Sequence, residues 1–399
     1  MTLERRELLR LAGATTVAST VGIAGCLGGS DPTDDDAGDE NSTSAPYRNW
    51  LVTDEEDGLF VAYADWDRLE ALEAADTEVG ANRTESPDDA NPMANEEDVM
   101  LAAPLMGTFF VAFGVMGTLG TGLEGLLGGA GSGAMGGAGT ETGTDGEDGE
   151  AADEDGERFE TSVDDLFWVN DAYVITGSID TGEIHETLTR QPESEYGLKT
   201  VYERSEGIGE FDVYEPVDGD SEYATTETAI GVSEDAVVFS MGSEGESVEQ
   251  LRGPLEAYSG ETKRTVDQHE DLNWLVETAG SGHVVFGAYG DLEQQDEPAS
   301  EEGEAELEIG ENETYDELAG ANGFVGSLTI DGSTESSGTF AAVFDDIDTE
   351  TKADLEASLG SSTDDATLEF DDDRVVATAT WDENALEESD VAGDDSSAA

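Results

Sequence analysis

The chain has 399 residues and a formal charge of −82, from 97 Asp and Glu against 15 Lys and Arg. Such a polyanion has no basic stripe to neutralise phosphates, so nucleic acid is excluded as a natural partner. Its one cysteine, Cys26, precedes every segment patterned to fold, which excludes disulfides, thiol catalysis and cysteine zinc sites from the body of the protein.

The first element is not fold but address. Arg5 and Arg6 are adjacent, Arg10 follows, and a weakly apolar stretch from Leu11 to Ala24 leads into Ile23-Ala24-Gly25-Cys26. A charged start, an apolar middle and a small-residue end make a secretory signal over residues 1–25. The stretch resembles a twin-arginine signal fused to a lipobox, as in the lipoproteins of halophilic archaea. The resemblance implies export in a folded state, a diether lipid on Cys26 and stable attachment to the outer face of the cytoplasmic membrane. Residues 26–46 then form an acidic tether of Gly, Ser, Asp, Thr and Asn with nothing to pack. Sequons at Asn41, Asn82 and Asn312 are candidate N-glycosylation sites.

From Tyr47 the pattern changes to alternating apolar runs containing Trp, Tyr and Phe, which argues for a folded interior under a halophilic surface. Trp50-Leu51-Val52 and Leu59 to Tyr63 read as a hairpin around Asp54 to Gly58, followed by a helix capped by Asp65 with Leu69 and Leu72 on one face. Asp165 to Val169 resembles Asp271 to Leu275, and each precedes a strand and a glycine: Tyr173 to Gly177, then His283 to Gly287. This similarity suggests an internal duplication of two halves, 47–222 and 223–383. The first half then carries an insertion over about 76–157, dispensable to the fold, with an uncharged run at 99–123 and a disordered Gly/acidic linker at 128–157. The 25 uncharged residues Val99 to Leu123 are long enough to cross a bilayer. Five glycines, Pro104 and the missing basic flanks favour packing on the domain or lying along the membrane surface instead.

Val248, Leu251, Leu255 and Tyr258 have helical spacing, which Gly253-Pro254 is expected to kink or restart. Phe324 to Ile330 with Thr339 to Phe344, and Leu368 to Phe370 with Val375 to Trp381, read as hairpins. Asp348 caps a helix between them, ending at Gly360. Residues 384–399 form a polar, disordered tail. The whole predicts an α+β fold, a largely antiparallel sheet with short helices on one face.

No nucleophile elbow, Walker sequence, dinucleotide fingerprint or cofactor motif occurs. His185, His269 and His283 lack the spacing of a local metal motif. The acidic clusters Asp153 to Asp155, Asp345 to Asp348 and Asp371 to Asp373 read as solvated surface that binds hard cations diffusely. The leading expectation is a lipid-anchored extracellular surface protein of a halophile, a non-enzymatic envelope or interaction module. The alternatives are a solute-binding lipoprotein of a membrane transporter, which calls for two α/β lobes around a cleft, and a carboxylate-dependent hydrolase.

Overall fold

The computed structural model describes residues 45–53, 58–71, 98–116, 118, 121–123, 125–127, 159–190, 200–217, 227–242, 245–290, 318, 320–330, 335–363 and 365–382. The leader with Arg5, Arg6 and Cys26, the three sequons and the 128–157 linker lie outside them. The strands are β1 (Leu59–Asp65), β2 (Ser162–Val169), β3 (Ala172–Ser178), β4 (Tyr202–Arg204), β5 (Asp212–Pro216), β6 (Glu227–Val232), β7 (Ala236–Gly242), β8 (Val284–Tyr289), β9 (Ala321–Ile330), β10 (Glu335–Phe344), β11 (Ala366–Asp371) and β12 (Arg374–Asp382). They form one sheet in the order β11-β12-β10-β9-β8-β1-β2-β3-β7-β6-β5-β4, and all of its neighbouring pairs are antiparallel. The helices are α1 (Val99–Met116), α2 (Thr181–Thr189), α3 (Ser247–Ser259), α4 (Glu270–Ala279) and α5 (Thr349–Ser358).

The α+β class and the antiparallel sheet are as expected, but the helices divide between both faces. Side chains alternate across a strand, so Phe60, Ala62 and Ala64 of β1 join one core while Leu59, Val61 and Tyr63 join the other. The first face is covered by α1, α2 and α5, through residues such as Met100, Ile184 and Leu355. The second is covered by a 3₁₀ turn at Pro46–Trp50 and by α3 and α4, through Trp50, Leu251 and Leu275. Central strands are apolar on both sides for this reason, as β7 shows with Ala236 to Ser240 all buried.

The uncharged run becomes α1, laid across the first face over β8, β1 and β9. Gly107 and Gly114 face the sheet. A Cβ on Gly107 would lie 2.9 Å from the Val285 carbonyl oxygen, and one on Gly114 would collide with the Tyr173 ring. Phe110 packs between Phe60 at 4.9 Å and Phe286 at 6.0 Å. The expected packing on the domain therefore holds for Val99–Met116, and its glycines serve close approach rather than flexibility. Helix α1 covers one of the two cores, which argues against the expected dispensability. No helix among the described residues is long and apolar enough to cross a membrane.

The sequence pairing of Asp165–Val169 with Asp271–Leu275 is overturned: the first lies in β2 and the second in α4. A different repeat organises the sheet. β1 and β8 pair at its centre in a register symmetric about Val61 and Gly287, so Phe60 opposes Ala288 and Ala62 opposes Phe286. Outward from each runs a hairpin (β2–β3, β9–β10), then an Asp-capped helix entered by Ile-Asp-Thr at 179–181 or 347–349, then a second hairpin (β6–β7, β11–β12). The last strand returns to pair with the second strand of the first hairpin, β7 with β3 and β12 with β10. The extra strands β4 and β5 extend only the first half. In chain order these two sets of elements are separated between β7 and β8.

Two smaller expectations also change. Pro46–Trp50 is a 3₁₀ turn and β1 pairs with β2 and β8, so the Trp50/Leu59 hairpin does not form; buried Tyr47, Trp50 and Leu51 plug the second core instead. Helix α3 runs unbroken through Pro254, which is buried against the sheet, because packing outweighs one lost hydrogen bond.

Candidate functional site

The most organised titratable group on the second face lies where β1, β2 and β3 end together. Asp65, Asp165 and Thr176 are cross-strand neighbours in one row, with Tyr63 in the next. Tyr63 Oη donates to Asp165 Oδ1 at 2.7 Å and Thr176 Oγ1 donates to Oδ2 at 3.0 Å. Burial raises the Asp165 pKa above the ordinary carboxylate value, the two hydroxyl donors oppose that rise, and Asp65 and Asp164 add to it. Burial, then Asp165 itself, pushes the Tyr63 phenol far up, so it stays a neutral donor.

Asp65 has a second duty, accepting from Arg68 N at 2.9 Å as the N-cap of the helix at 66–71, while its own N–H donates to the His283 carbonyl. The arrangement can hold a proton on a half-buried carboxylate beside a second one. Among the described residues, Asp165 accepts one hydrogen bond on each oxygen, from Tyr63 and from Thr176. The sequence signal was present, since Asp165 is in phase with Phe167 and Val169 on the inward side of β2.

A second polar lock lies on the first face. Asp98, only 3% exposed, caps α1 by accepting from Met100 N and also accepts from Gly360 N, Ser362 N and Ser362 Oγ. Ser362 Oγ in turn accepts from Trp381 Nε1 at 2.9 Å. One carboxylate thus ties α1 to the end of α5 and to β12.

The histidines do not converge. His185 Nδ1 meets Tyr214 Oη at 2.9 Å, the His269 ring packs 5.6 Å from Tyr289, and His283 Nδ1 accepts from Ile330 N at 3.1 Å. Among the described residues no group of three His, Cys, Asp or Glu is placed to hold a metal ion. The acidic clusters have local work: Asp345 accepts from Asn322, Asp348 caps α5 through Glu350 N and Thr351 N, and Asp372, at φ 49°, turns β11 into β12. Asp153 to Asp155 lie outside the described residues.

Among the described residues, two arginines tie distant segments together. Arg48 reaches from the N-terminal turn to Asn273 and Glu277, and Arg374 reaches from β12 to Asp271 at 2.7 Å while covering the Trp274 ring at 4.7 Å. Both converge on α4. Comparison of the chain with known protein families, characterised proteins and solved structures found no match to it.

Proposed function

We propose that the protein is a lipid-anchored extracellular surface protein of a halophile, a non-enzymatic envelope or interaction module held to the membrane through Cys26. The observation that carries this reading is Arg5-Arg6 followed by Ile23-Ala24-Gly25-Cys26. The chain beyond that leader fits an anchored body. The tether between Cys26 and Ala45 spans about 60 Å at full extension, and it enters the domain at a buried plug. There Tyr47 donates to the Gly280 carbonyl at 2.9 Å and Trp50 stacks on Tyr258 at 4.2 Å. Tension on the lipid would load the core rather than a loose end. Detergent partitioning of Cys26→Ser tests the anchor, with release from membranes expected and unchanged retention contradicting it. Replacing Arg5 and Arg6 by Lys tests the export route, and normal export of that variant would remove it.

The solute-binding alternative calls for two α/β lobes with parallel crossovers, and the single antiparallel sheet of the described residues does not favour it. The hydrolase alternative draws on the Asp65 and Asp165 pair. Hydrolysis of a glycoside or ester panel that Asp165→Asn abolishes while the fold is retained would support it.

A further inference from the structure

Helix α1 differs from α2, α3, α4 and α5 in what it turns outward. Each of those four carries carboxylates away from the sheet, as with Glu186 of α2, Glu249 of α3, Glu277 of α4 and Glu356 of α5, all exposed. The 18 residues of α1 hold no charge and are apolar all round rather than along one stripe. Such a helix is stable between two apolar layers, not between one layer and water.

The sheet is one of those layers. The extensive contacts of α1 with described elements are all with strands, β8, β1, β9, β2 and β10, and Ala103, Phe110 and Val111 on that side are buried in the first core. Around the rest of the helix Ala102, Leu105, Met106, Thr108 and Ala112 are half-buried. Thr108 is the one polar side chain in α1, and its hydroxyl donates to the Leu105 carbonyl at 2.6 Å, so it is satisfied within the helix. At the flank of α1, half-buried Trp168 lies 6.1 Å from Phe110 while its indole N–H donates to the Asn170 carbonyl.

Three occupants could supply the second layer. The stretches of chain on either side of α1, 72–97 and 128–158, are acidic and small-residue segments whose large apolar residues are Leu72, Val79, Met93 and Met135 alone. A second copy would gain little: a helix of 18 residues offers a strip of about 300 Å², well short of the roughly 800 Å² per partner in a stable interface. It would also press two chains of charge −82 together. A bilayer asks for neither area nor charge complementarity, only an uncharged apolar strip with its polar groups satisfied, and Trp168 suits its interfacial zone. The tether from Cys26 ends at Ala45 on the second face, and its length of about 60 Å exceeds the roughly 30 Å from there past the sheet to the outer side of α1. A lipid on Cys26 makes even a weak contact intramolecular.

We propose that the outer side of α1 rests in the surface of a lipid bilayer, so that the anchored protein lies with its first face down on the membrane. The helix runs along the bilayer rather than across it, because its inner side stays packed on β8, β1 and β9. The presence of a membrane rests on the lipid-anchored reading, whereas the affinity of α1 for lipid does not.

The test couples the chain from Cys26 onward, whose one thiol is Cys26, to maleimide-bearing phosphatidylcholine vesicles in molar KCl, with part of the lipid brominated along its acyl chains. Bromine quenches tryptophan only at close range. The expected result is a fall in emission relative to unbrominated vesicles that is lost in Trp168→Phe. It should also be lost when Leu105 and Ala112 are both replaced by Glu, with the melting curve unchanged; the same pair replaced by Gln serves if the Glu pair melts early. Absence of quenching in the coupled wild-type chain, as when a segment of the chain itself covers α1, overturns the proposal. So does quenching that Trp168→Phe leaves unchanged, which places another face on the lipid, or quenching that both pairs leave unchanged. A dimer of the uncoupled Cys26→Ser chain in sedimentation that the Glu pair abolishes overturns it as well, by placing a second copy on α1. Because the coupling is chemical, this result is independent of whether Cys26 carries a lipid in the cell, which detergent partitioning decides separately.

Discussion

Single side chains on the two faces carry opposite signs of stability. Asp165 holds its proton more tightly folded than unfolded, chiefly because it is half-buried. Its contribution is therefore most favourable below the ordinary carboxylate pKa and declines as pH rises through the higher folded value. Asp165→Asn, which can still accept from Tyr63 or Thr176, should raise stability near neutral pH and lose that advantage in acid. Denaturant melts of both proteins at several pH values check this, and an advantage that grows toward acid would contradict it. Tyr173 gives a simpler case. Its hydroxyl is buried with no hydrogen-bond partner among the described residues, and a buried orphan of this kind costs about 1–3 kcal/mol, so Tyr173→Phe should raise the melting temperature. Asp98→Ala has the opposite effect, stranding Gly360 N, Ser362 N and Ser362 Oγ, and should cost about 3 kcal/mol in denaturant unfolding. The caps were readable as residues: Asp65, Asp348 and the apolar phase of their helices follow from local rules. Asp98 was not, because three of its four donors are more than 250 positions away.

At the scale of elements, local pattern found most strands and misjudged what covers them. The strands β3, β8, β9, β10, β11 and β12 alternate or run apolar over short spans, and the hairpins β9–β10 and β11–β12 were legible as nearest-neighbour pairs. The segment Asp271–Leu275 resembles Asp165–Val169 in letters, yet Leu272, Leu275, Val276 and Ala279 repeat at three and four and bury one helical face. Composition outweighed period in that comparison. Helix α1 is the larger lesson. An apolar run full of glycine reads as lipid-facing or loose, whereas Gly107 and Gly114 mark where helix and sheet touch. Gly107→Ala separates the two views. Helix propensity alone favours alanine by about 1 kcal/mol, but the new methyl meets the Val285 carbonyl in a central strand that cannot yield. Overpacking of this sort costs about 1–3 kcal/mol, so the variant should melt lower, and a rise would mean that α1 does not press on the sheet. Deleting residues 98–127 should leave no cooperative fold, since Phe60, Phe286, Phe324 and Phe340 would lose their cover.

For the molecule as a whole, long-range order was the part that local pattern could not supply. The central pairing of β1 with β8 joins residues 220 to 230 apart, and its sequence trace is the shared Phe-x-Ala-Tyr at 60–63 and 286–289. Charge, by contrast, is a whole-chain property and is read directly. Salt bridges among the described residues are few beside the carboxylates, and two of them are helical i,i+4 pairs; exposed pairs stabilise by at most about 1 kcal/mol each. They cannot offset the mutual repulsion of a chain at −82. The two cores are built almost wholly from apolar side chains, so repulsion at the surface is the term that solvent controls. At 0.01 M salt the Debye length is about 30 Å and the whole surface repels itself; at 1 M it is about 3 Å and only neighbours do. Stability should therefore rise steeply and then level as salt is added, with Arg374→Gln lowering the curve most in dilute buffer, where the Asp271 charge it neutralises is least screened. Circular dichroism melts across a salt series decide this, and a fold equally stable in dilute buffer and molar salt would show that the carboxylate surface is not what limits it.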